Sequence, residues 1–161
     1  MTVALPDGWL LDVEAEALTN LATGRNVLEL GSYKGRSTVA MSRTARYLLS
    51  VDHHRGDPDA GSEDTLAEFY ENVKQLENVD FVVGDMAVVL QFLRDNYFDL
   101  VFVDGAHDYE SVRRDAMAAW RLCHKTGVIA FHDWQFESVR AGASIHYDEP
   151  SELIGTIAVF R

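Results

Sequence analysis

The stretch Val27–Thr38, VLELGSYKGRST, passes from a short apolar run into glycine, small polar residues and a second glycine. The apolar run predicts a buried β-strand, and the glycines predict a tight turn before a helix capped by Ser37. Such a turn lets backbone N–H groups point at the polar end of a ligand. The spacing of Gly31 and Gly35 meets neither the G-x-G-x-x-G dinucleotide pattern nor a phosphate-binding loop, because Lys34 precedes the second glycine. Alone, the stretch fits a ligand site and a plain turn equally well.

Strands and helices alternate along the rest of the chain. Alternating apolar strands and amphipathic helices predict an α/β fold, a Rossmann-like and mainly parallel sheet with helices on both faces. With no internal repeat or linker, residues 1–161 are expected to form a single domain. The predicted strands cover residues 26–31, 47–52, 79–85, 98–105, 127–134 and 155–161. The predicted helices cover residues 9–24, 37–47, 65–76, 86–96 and 110–127. A polar loop is expected over residues 53–64.

The composition excludes several classes of protein. Lys and Arg number 14 against 26 Asp and Glu, and the resulting charge of -12 argues against a nucleic-acid partner. No apolar run reaches about 18 residues and no basic start precedes an apolar core, so the sequence predicts a cytoplasmic protein without a membrane partner. The single cysteine, Cys123, allows no internal disulfide and no Cys-rich zinc site, and it is expected to be buried on a helix.

Carboxylates follow several predicted strands. Because parallel strands end at one edge of a sheet, these acids are expected to surround a ligand there. Asp52, some twenty residues beyond the glycine turn, suits the two hydroxyls of a ribose, although a solvated acid that opens a loop is the alternative. Asp85 suits an adenine amino group, the N-cap of the next helix, or both.

Two histidine-containing segments add chemistry to the same edge. In VFVDGAHDYESV, Asp104 and His107 are candidates for acid–base or metal chemistry, whereas Asp108 and Glu110 also fit a helix start. In FHDW, His132 and Asp133 are expected near Asp104.

These segments also raise the question of a metal. Asp104 and Asp133 together are candidate ligands for a hard cation such as Mg2+. His53, next to Asp52, fits a ligand contact or an exposed loop.

The succession GWL, VLELGSYKGRST, VDHH, VVGD, FVDGAHDYESV and GVIAFHDW resembles the class I S-adenosylmethionine-dependent methyltransferases. The greatest similarity is to the small-molecule O-methyltransferase branch that includes macrocin O-methyltransferase-like enzymes, over residues 8 to 134. The resemblance implies a seven-stranded type of sheet with S-adenosyl-L-methionine lying across the strand ends.

The resemblance also implies roles for individual residues. Glu29 and the backbone of the glycine turn would meet the amino-acid part of the donor, Asp52 its ribose, and Asp85 and Met86 its adenine. Asp104 and His107 would face the methionine end and the acceptor. The predicted donor site comprises Glu29, Gly31, Ser32, Tyr33, Gly35, Ser37, Asp52, His53, Asp85, Met86, Asp104, Gly105 and His107, and the predicted catalytic residues are Asp104, His107, His132 and Asp133.

Two departures from the family pattern qualify these expectations. Magnesium-dependent relatives carry a second acid immediately after the residue that corresponds to Asp133, but Trp134 stands there, so the metal is an open alternative. The region after Trp134 is short. The last strand pair is therefore expected to be shortened. One alternative is that the sheet lacks a strand, and another is that a second subunit of a homo-oligomer completes the acceptor pocket.

The leading hypothesis is methyl transfer from S-adenosylmethionine to a hydroxyl of a small-molecule acceptor. His107 or His132 would remove the hydroxyl proton, while Asp104 and Asp133 orient the acceptor or a cation. One alternative is a donor-binding partner or regulatory protein without methylation of its own. The other is an NAD-dependent oxidoreductase, which shares the architecture but has the G-x-G-x-x-G pattern that this chain lacks.

Overall fold

The computed structural model describes residues 3–56 and 63–161, and seven strands within them form one sheet. The strands are β1 (Asn26–Leu30), β2 (Tyr47–Asp52), β3 (Val79–Val83), β4 (Phe98–Val103), β5 (Cys123–Phe131), β6 (Glu152–Ile154) and β7 (Ile157–Phe160). The helices are α1 (Asp12–Ala22), α2 (Arg36–Ser42), α3 (Leu66–Val73), α4 (Met86–Val89), α5 (Tyr109–Leu122) and α6 (Glu137–Ala143), with a 3₁₀ turn at Leu90–Phe92 after α4.

The strand order is β3-β2-β1-β4-β5-β7-β6. Pairing is parallel from β3 through β5, while β7 runs antiparallel to both β5 and β6. The predicted α/β, Rossmann-like sheet is therefore confirmed. The last two strands are present but short, so the alternative that the sheet lacks a strand is wrong.

The core lies on both faces of the sheet because successive strand residues point to opposite faces. Leu28 and Leu30 of β1 pack in one cluster with Val112 of α5, whereas Val27 packs in the other with Leu18 of α1. All five side chains are buried. A fully buried leucine of this kind contributes about 2 kcal/mol. This two-sided burial explains why the strands read as continuous apolar runs in the sequence.

Several predicted boundaries are wrong. The helix predicted to run to residue 127 ends at Leu122, and Cys123 begins β5, where it pairs with Phe98. Cys123 is buried as expected, but on a strand. Ser37 does not cap α2, because Gly35 occupies the N-cap with a φ of 89°.

Other differences concern length and missing elements. The helix predicted over 86–96 is reduced to α4 and the 3₁₀ turn, and α6 and β6 were not predicted. Residues 57–62 of the predicted polar loop lie outside the described residues. In the part of the chain that the structure describes, no helix is both long enough and apolar enough to cross a membrane.

The sheet positions the site at one crevice. Strand order reverses at β1, which has β2 on one side and β4 on the other, and ligands of open parallel sheets bind beyond such a point. Two backbone hydrogen bonds hold this crevice together: the N–H of Gly31 donates to Val51 at 2.9 Å, and the N–H of Asp104 donates to Leu30 at 2.8 Å.

Candidate active site

A cavity of about 470 Å³ opens at the carboxyl ends of the central strands. All of the residues predicted for the site line it, except Glu29 and Gly35. The predicted residues along its wall are Gly31, Ser32, Tyr33, Ser37, Asp52, His53, Asp85, Met86, Asp104, Gly105, His107, His132 and Asp133. The fold thus brings together residues that are separated by as many as 102 positions in the chain, from Gly31 to Asp133.

The turn after β1 lies directly against the end of β4. Gly31 has a φ of 88°, and a Cβ on it would stand 2.1 Å from the carbonyl oxygen of Asp104. Glycine is therefore required for two reasons, conformation and space. Tyr33 also has a positive φ, 48°, which is uncommon for a residue with a side chain. Strain of this kind concentrates at functional sites.

Asp52 holds this turn in place. Its Oδ2 accepts hydrogen bonds from the backbone N–H groups of Ser32 at 2.7 Å and Tyr33 at 3.0 Å, and its Oδ1 accepts one from His54 at 2.7 Å. Although burial raises it, these backbone donors keep the pKa of Asp52 below its ordinary value. The carboxylate therefore stays charged in the cavity wall, and its predicted contact with a ribose stays a prediction.

Glu29 lies outside the cavity, contrary to the predicted donor contact. The side chain is fully buried and accepts hydrogen bonds from Ser37 Oγ at 2.5 Å and Thr38 Oγ1 at 2.6 Å. Burial raises the pKa of Glu29 to about 7, against the effect of these hydroxyl donors. Its two hydrogen bonds instead fix α2, and with it Ser37 in the cavity wall.

Gly35 is also outside the cavity. A Cβ at this position would lie 3.1 Å from the ring of Phe69, so its glycine serves the packing of α2 on α3 rather than ligand contact. The predicted donor contact of Gly35 is therefore not supported by its position.

On the other side of the crevice, His132 bridges two carboxylates. Its Nδ1 lies 3.0 Å from both Asp104 Oδ1 and Asp133 Oδ2, and its Nε2 lies 3.3 Å from Glu14 Oε2. Burial alone would lower the pKa of His132, but these carboxylates raise it to about 11. The imidazole is buried with a carboxylate near each ring nitrogen, and its raised pKa favours the protonated form, so this geometry does not suit the predicted removal of a proton by His132.

Glu14 anchors this network to the chain ends. Its Oε1 accepts hydrogen bonds from the backbone N–H and the Oγ1 of Thr156 at 2.6 and 2.8 Å, and its Oε2 accepts one from the N–H of Leu11 at 2.8 Å. Glu14 thus joins α1, the turn between β6 and β7, and His132. The hairpin at the end of the chain has a direct part in positioning the site.

His107 lies in the cavity wall beside Asp133. Its Nε2 lies 2.9 Å from Asp133 Oδ2, its ring centre lies 5.3 Å from that of Phe136, and it retains partial exposure toward the cavity. Asp133 has a positive φ of 56°. Although burial opposes it, the side chains of His107 and His132 hold the pKa of Asp133 far below its usual range. Asp133 is therefore ionised, and its carboxylate orients both imidazoles.

The residues proposed for Mg2+ do not match that ion well. Among the described residues, Asp104, His107 and Asp133 form a candidate metal cluster, because one possible ligand atom from each lies within 4.8 Å of the others. Mg2+ prefers about six oxygen ligands. Here it would find two carboxylates and a ring nitrogen, beside the positive imidazole of His132.

The remaining predicted residues occupy the rim and the adenine side. Asp85 is the N-cap of α4 and accepts a hydrogen bond from the N–H of Ala87 at 2.7 Å, so the capping alternative is confirmed. Asp108 likewise caps α5. Met86 and His53 line the cavity, and their contacts with the donor stay predictions.

Sequence reasoning missed several residues that line the cavity: Trp9, Arg36, Arg114, Asp115 and Phe136. Arg36 donates to the carbonyls of Leu10 and Pro6 at 2.9 and 2.7 Å, partners too distant in sequence for any local pattern to indicate. Asp115 did carry a signal. It lies three residues after Val112 and directly before Ala116, on the apolar face of the predicted helix.

A family model described as a methyltransferase domain matches residues 28–134, well over half of the 161 residues. The chain belongs to this methyltransferase family. The matched range runs from β1 to the residue after Asp133, so it contains most of the cavity wall. Membership gives no support to the NAD-dependent oxidoreductase alternative.

Solved structures show the same fold. One is phosphoethanolamine N-methyltransferase 1 of Haemonchus contortus, solved in complex with phosphoethanolamine and S-adenosylhomocysteine. The chain is 25% identical to it, and the match has a TM-score of 0.59 and covers 74% of this chain and 25% of that chain. N-methyltransferase NodS from Bradyrhizobium japonicum WM9, in complex with S-adenosylhomocysteine, is 18% identical, with a TM-score of 0.64 over 91% and 84%. A Corynebacterium glutamicum protein is 14% identical, with a TM-score of 0.72 over 94% and 81%. The chain thus has the class I Rossmann-like fold of methyltransferases, and it spans a quarter of the Haemonchus enzyme's length.

Proposed function

We propose that the chain transfers a methyl group from S-adenosylmethionine to a hydroxyl of a small-molecule acceptor. The observation that carries this proposal is the division of one cavity into a turn of backbone donors around Asp52 and an imidazole–carboxylate pair, His107 and Asp133. The first part suits a polar nucleoside ligand, and the second suits removal of a hydroxyl proton.

The donor side is supported by charge and by backbone geometry. The sulfonium and ammonium groups of S-adenosylmethionine are positive, and Asp52, Asp104 and Asp133 line the same cavity. Opposite charges within a few ångströms attract each other, so these carboxylates offset the positive groups of the donor. The S-adenosylhomocysteine bound by two structurally similar methyltransferases fits this choice of donor.

The acceptor side is supported by the position of His107. Asp133 holds its Nε2, as a carboxylate holds the base of a hydrolytic triad in one orientation and stabilises its protonated form. His107 takes the proton of the acceptor hydroxyl, and Phe136, at 5.3 Å between ring centres, offers an apolar wall beside it. When bound, the donor gives its methyl carbon to the acceptor oxygen, and its sulfur keeps the electron pair of the broken bond.

Donor identity can be tested by thermal denaturation with S-adenosylmethionine, S-adenosylhomocysteine, NAD and ATP. A ligand at about a hundred times its dissociation constant stabilises the folded state by roughly 2.7 kcal/mol. For a domain of this size that is a rise of several degrees in Tm. We expect the rise with the first two compounds only. A response to NAD without a response to S-adenosylhomocysteine would overturn the proposal.

Proton removal can be tested with His107→Gln and a panel of hydroxylated acceptors, with and without a chelator. Loss of a general base lowers kcat by about 100-fold or more. S-adenosylhomocysteine affinity should change little. His146→Gln is the matched control, because His146 stacks on Trp120 and is not among the cavity residues. Donor binding without turnover of any acceptor would instead favour a binding protein that does not methylate.

A further inference from the structure

Two aromatic side chains of the cavity wall, Trp9 and Phe136, are exposed. Trp9 is 76% exposed and Phe136 is 45% exposed, and both line the cavity. The residue next to Trp9, Leu10, is buried and packs in the core instead. Binding sites for small molecules are lined mainly by apolar and aromatic side chains, which a ligand covers when it binds. The two exposed rings therefore point to a ligand with an apolar surface.

The segment that carries Trp9 has a fixed backbone. Arg36 of α2 donates from Nε to the carbonyl of Leu10 at 2.9 Å and from Nη1 to that of Pro6 at 2.7 Å. A Cβ on Gly8 would lie 3.2 Å from Arg36 Cβ, so the segment passes directly over this side chain. The backbone is thus held on both sides of the indole, which is presented to the cavity from a fixed position.

The segment that carries Phe136 is fixed in the same manner by a second arginine. Arg140 of α6 donates from Nη1 to the carbonyls of Trp134 and Gln135, at 2.7 and 2.8 Å. The ring centre of Phe136 lies 5.3 Å from that of His107. A planar ring that packs on Phe136 therefore has its edge beside the imidazole of His107, where a hydroxyl on that edge can give up its proton.

The acidity of the hydroxyl separates two classes of acceptor. A phenol has a pKa of about 10, whereas water, which aliphatic alcohols resemble, has a pKa of about 15.7. A bound divalent cation lowers such values, but Asp104, His107 and Asp133 offer few of the oxygen ligands that Mg2+ prefers. An imidazole base acting without a cation is suited to the more acidic class, the phenols.

We propose that Trp9 and Phe136 form the acceptor subsite and that they select a planar aromatic acceptor, a phenol. This inference rests on the proposed methyl transfer to a hydroxyl. The acceptor ring packs on the two aromatic side chains, and the phenolic proton goes to His107. The oxygen then forms a bond to the methyl carbon, while the bond between that carbon and sulfur breaks and leaves its electron pair on sulfur. The products are an aryl methyl ether and S-adenosylhomocysteine.

The test compares p-cresol and 2-naphthol with their saturated counterparts, 4-methylcyclohexanol and decahydro-2-naphthol. Calorimetry measures acceptor binding to the chain saturated with S-adenosylhomocysteine, and product formation is measured with S-adenosylmethionine. The unmodified chain should bind each phenol at least tenfold more tightly than its counterpart and should methylate the phenols alone. Trp9→Ala should lose this preference and bind S-adenosylhomocysteine as before. Trp9→Phe should keep most of the preference, because phenylalanine also offers an aromatic face.

Trp120→Ala is the matched control. Trp120 is 61% exposed and stacks on His146, and it is not among the residues that line the cavity. Its substitution should change neither the preference for phenols nor the affinity for S-adenosylhomocysteine.

Three results would overturn the inference and leave the proposed methyl transfer standing. One is an unchanged preference in Trp9→Ala. Another is a lower Tm in Trp9→Ala with equal weakening of donor and acceptor binding, because that result shows a structural role. The third is methylation of the saturated alcohols by the unmodified chain as efficiently as of the phenols. If the unmodified chain does not bind S-adenosylhomocysteine, the proposed function itself fails, and the inference fails with it.

Discussion

The carboxylates at the carboxyl edge of the sheet have different hydrogen-bond partners in its two halves. In the glycine-turn half, residues 31–35 with Asp52, the carboxylate receives three backbone N–H groups. In the histidine half, Asp104, His107, His132 and Asp133, the carboxylates contact imidazole nitrogens. Backbone donors hold their protons at every physiological pH, whereas an imidazole can gain or lose one. The first half is therefore suited to fixed recognition, and the second to proton transfer.

The largest effect should come from forcing a side chain into the contact between the two halves. Gly31→Ala places a Cβ 2.1 Å from the carbonyl oxygen of Asp104 and adds the strain of a positive φ. We expect a loss of about 3 kcal/mol or more in the free energy of unfolding, together with loss of S-adenosylhomocysteine binding. Urea denaturation and calorimetry measure both.

Gly24→Ala is the control for that substitution. Gly24 also has a positive φ, 68°, but a Cβ there would meet nothing within 4 Å. It should lose only about 1 kcal/mol, from backbone strain. Similar losses at both positions would show that the close approach of the two halves is unimportant.

The next largest effect should come from removing the positive charge of the histidine half. His132→Gln leaves Asp104 and Asp133 without the imidazole that lies 3.0 Å from each. Breaking a buried ion pair lowers stability by about 3 kcal/mol. Denaturant unfolding at pH 7 in the presence of a chelator measures this loss. A loss within experimental error would mean that the carboxylates repel each other little.

The same histidine predicts how stability changes with pH. The pKa of His132 is raised from 6.5 to about 11, so its contribution is complete below pH 6.5 and declines as pH rises toward 11. In that range, the folded state binds one proton more than the unfolded state. The free energy of unfolding therefore falls by about 1.4 kcal/mol for each unit that the pH rises. Unfolding measured between pH 7.5 and 9 should show this decline, and His132→Gln should flatten it. The pKa of Glu29 is raised to about 7, which lies below this pH range. Glu29 is therefore ionised in both the folded and the unfolded state and does not contribute to the decline.

A smaller effect is expected in the glycine-turn half. Asp52→Asn keeps the shape of the side chain but removes the charge that accepts the N–H groups of Ser32, Tyr33 and His54. Hydrogen bonds to charged groups contribute about 1.5–3 kcal/mol each, and the amide keeps part of that. S-adenosylhomocysteine affinity should fall about tenfold, equal to 1.4 kcal/mol. Unchanged affinity would show that the charge of Asp52 is not needed for the donor.

The smallest effect should follow Asp85→Asn. Asparagine caps a helix as well as aspartate does, so stability should change by less than about 0.5 kcal/mol. S-adenosylhomocysteine affinity should fall by no more than a few fold, because the side-chain oxygen of asparagine still accepts a hydrogen bond from an adenine amino group. A tenfold or greater loss by calorimetry would show that the charge of Asp85 is needed for donor binding.

Much of the cavity wall was predictable because the relevant signals are local. Gly31, Asp52, Asp85, Asp104 and Asp133 each follow an apolar run, and the ends of parallel strands must meet at one edge. The same reasoning misplaced Glu29, since the sequence does not show on which side of the sheet a strand residue lies once both faces are apolar. It also misplaced the end of α5, where pairing of Cys123 with Phe98 overrides helical propensity.

The amino-acid sequence by itself determined the alternation of strands and helices, the acidic edge of the sheet and the glycine turn, because these depend on the order of neighbouring residues. Only the tertiary structure decided how the surroundings of the two histidines differ. His107 and His132 read alike in sequence, but His107 is partly exposed beside Asp133, and His132 is buried among Glu14, Asp104 and Asp133. A pKa depends on burial and on charges brought close by folding, and neither can be read from the order of residues.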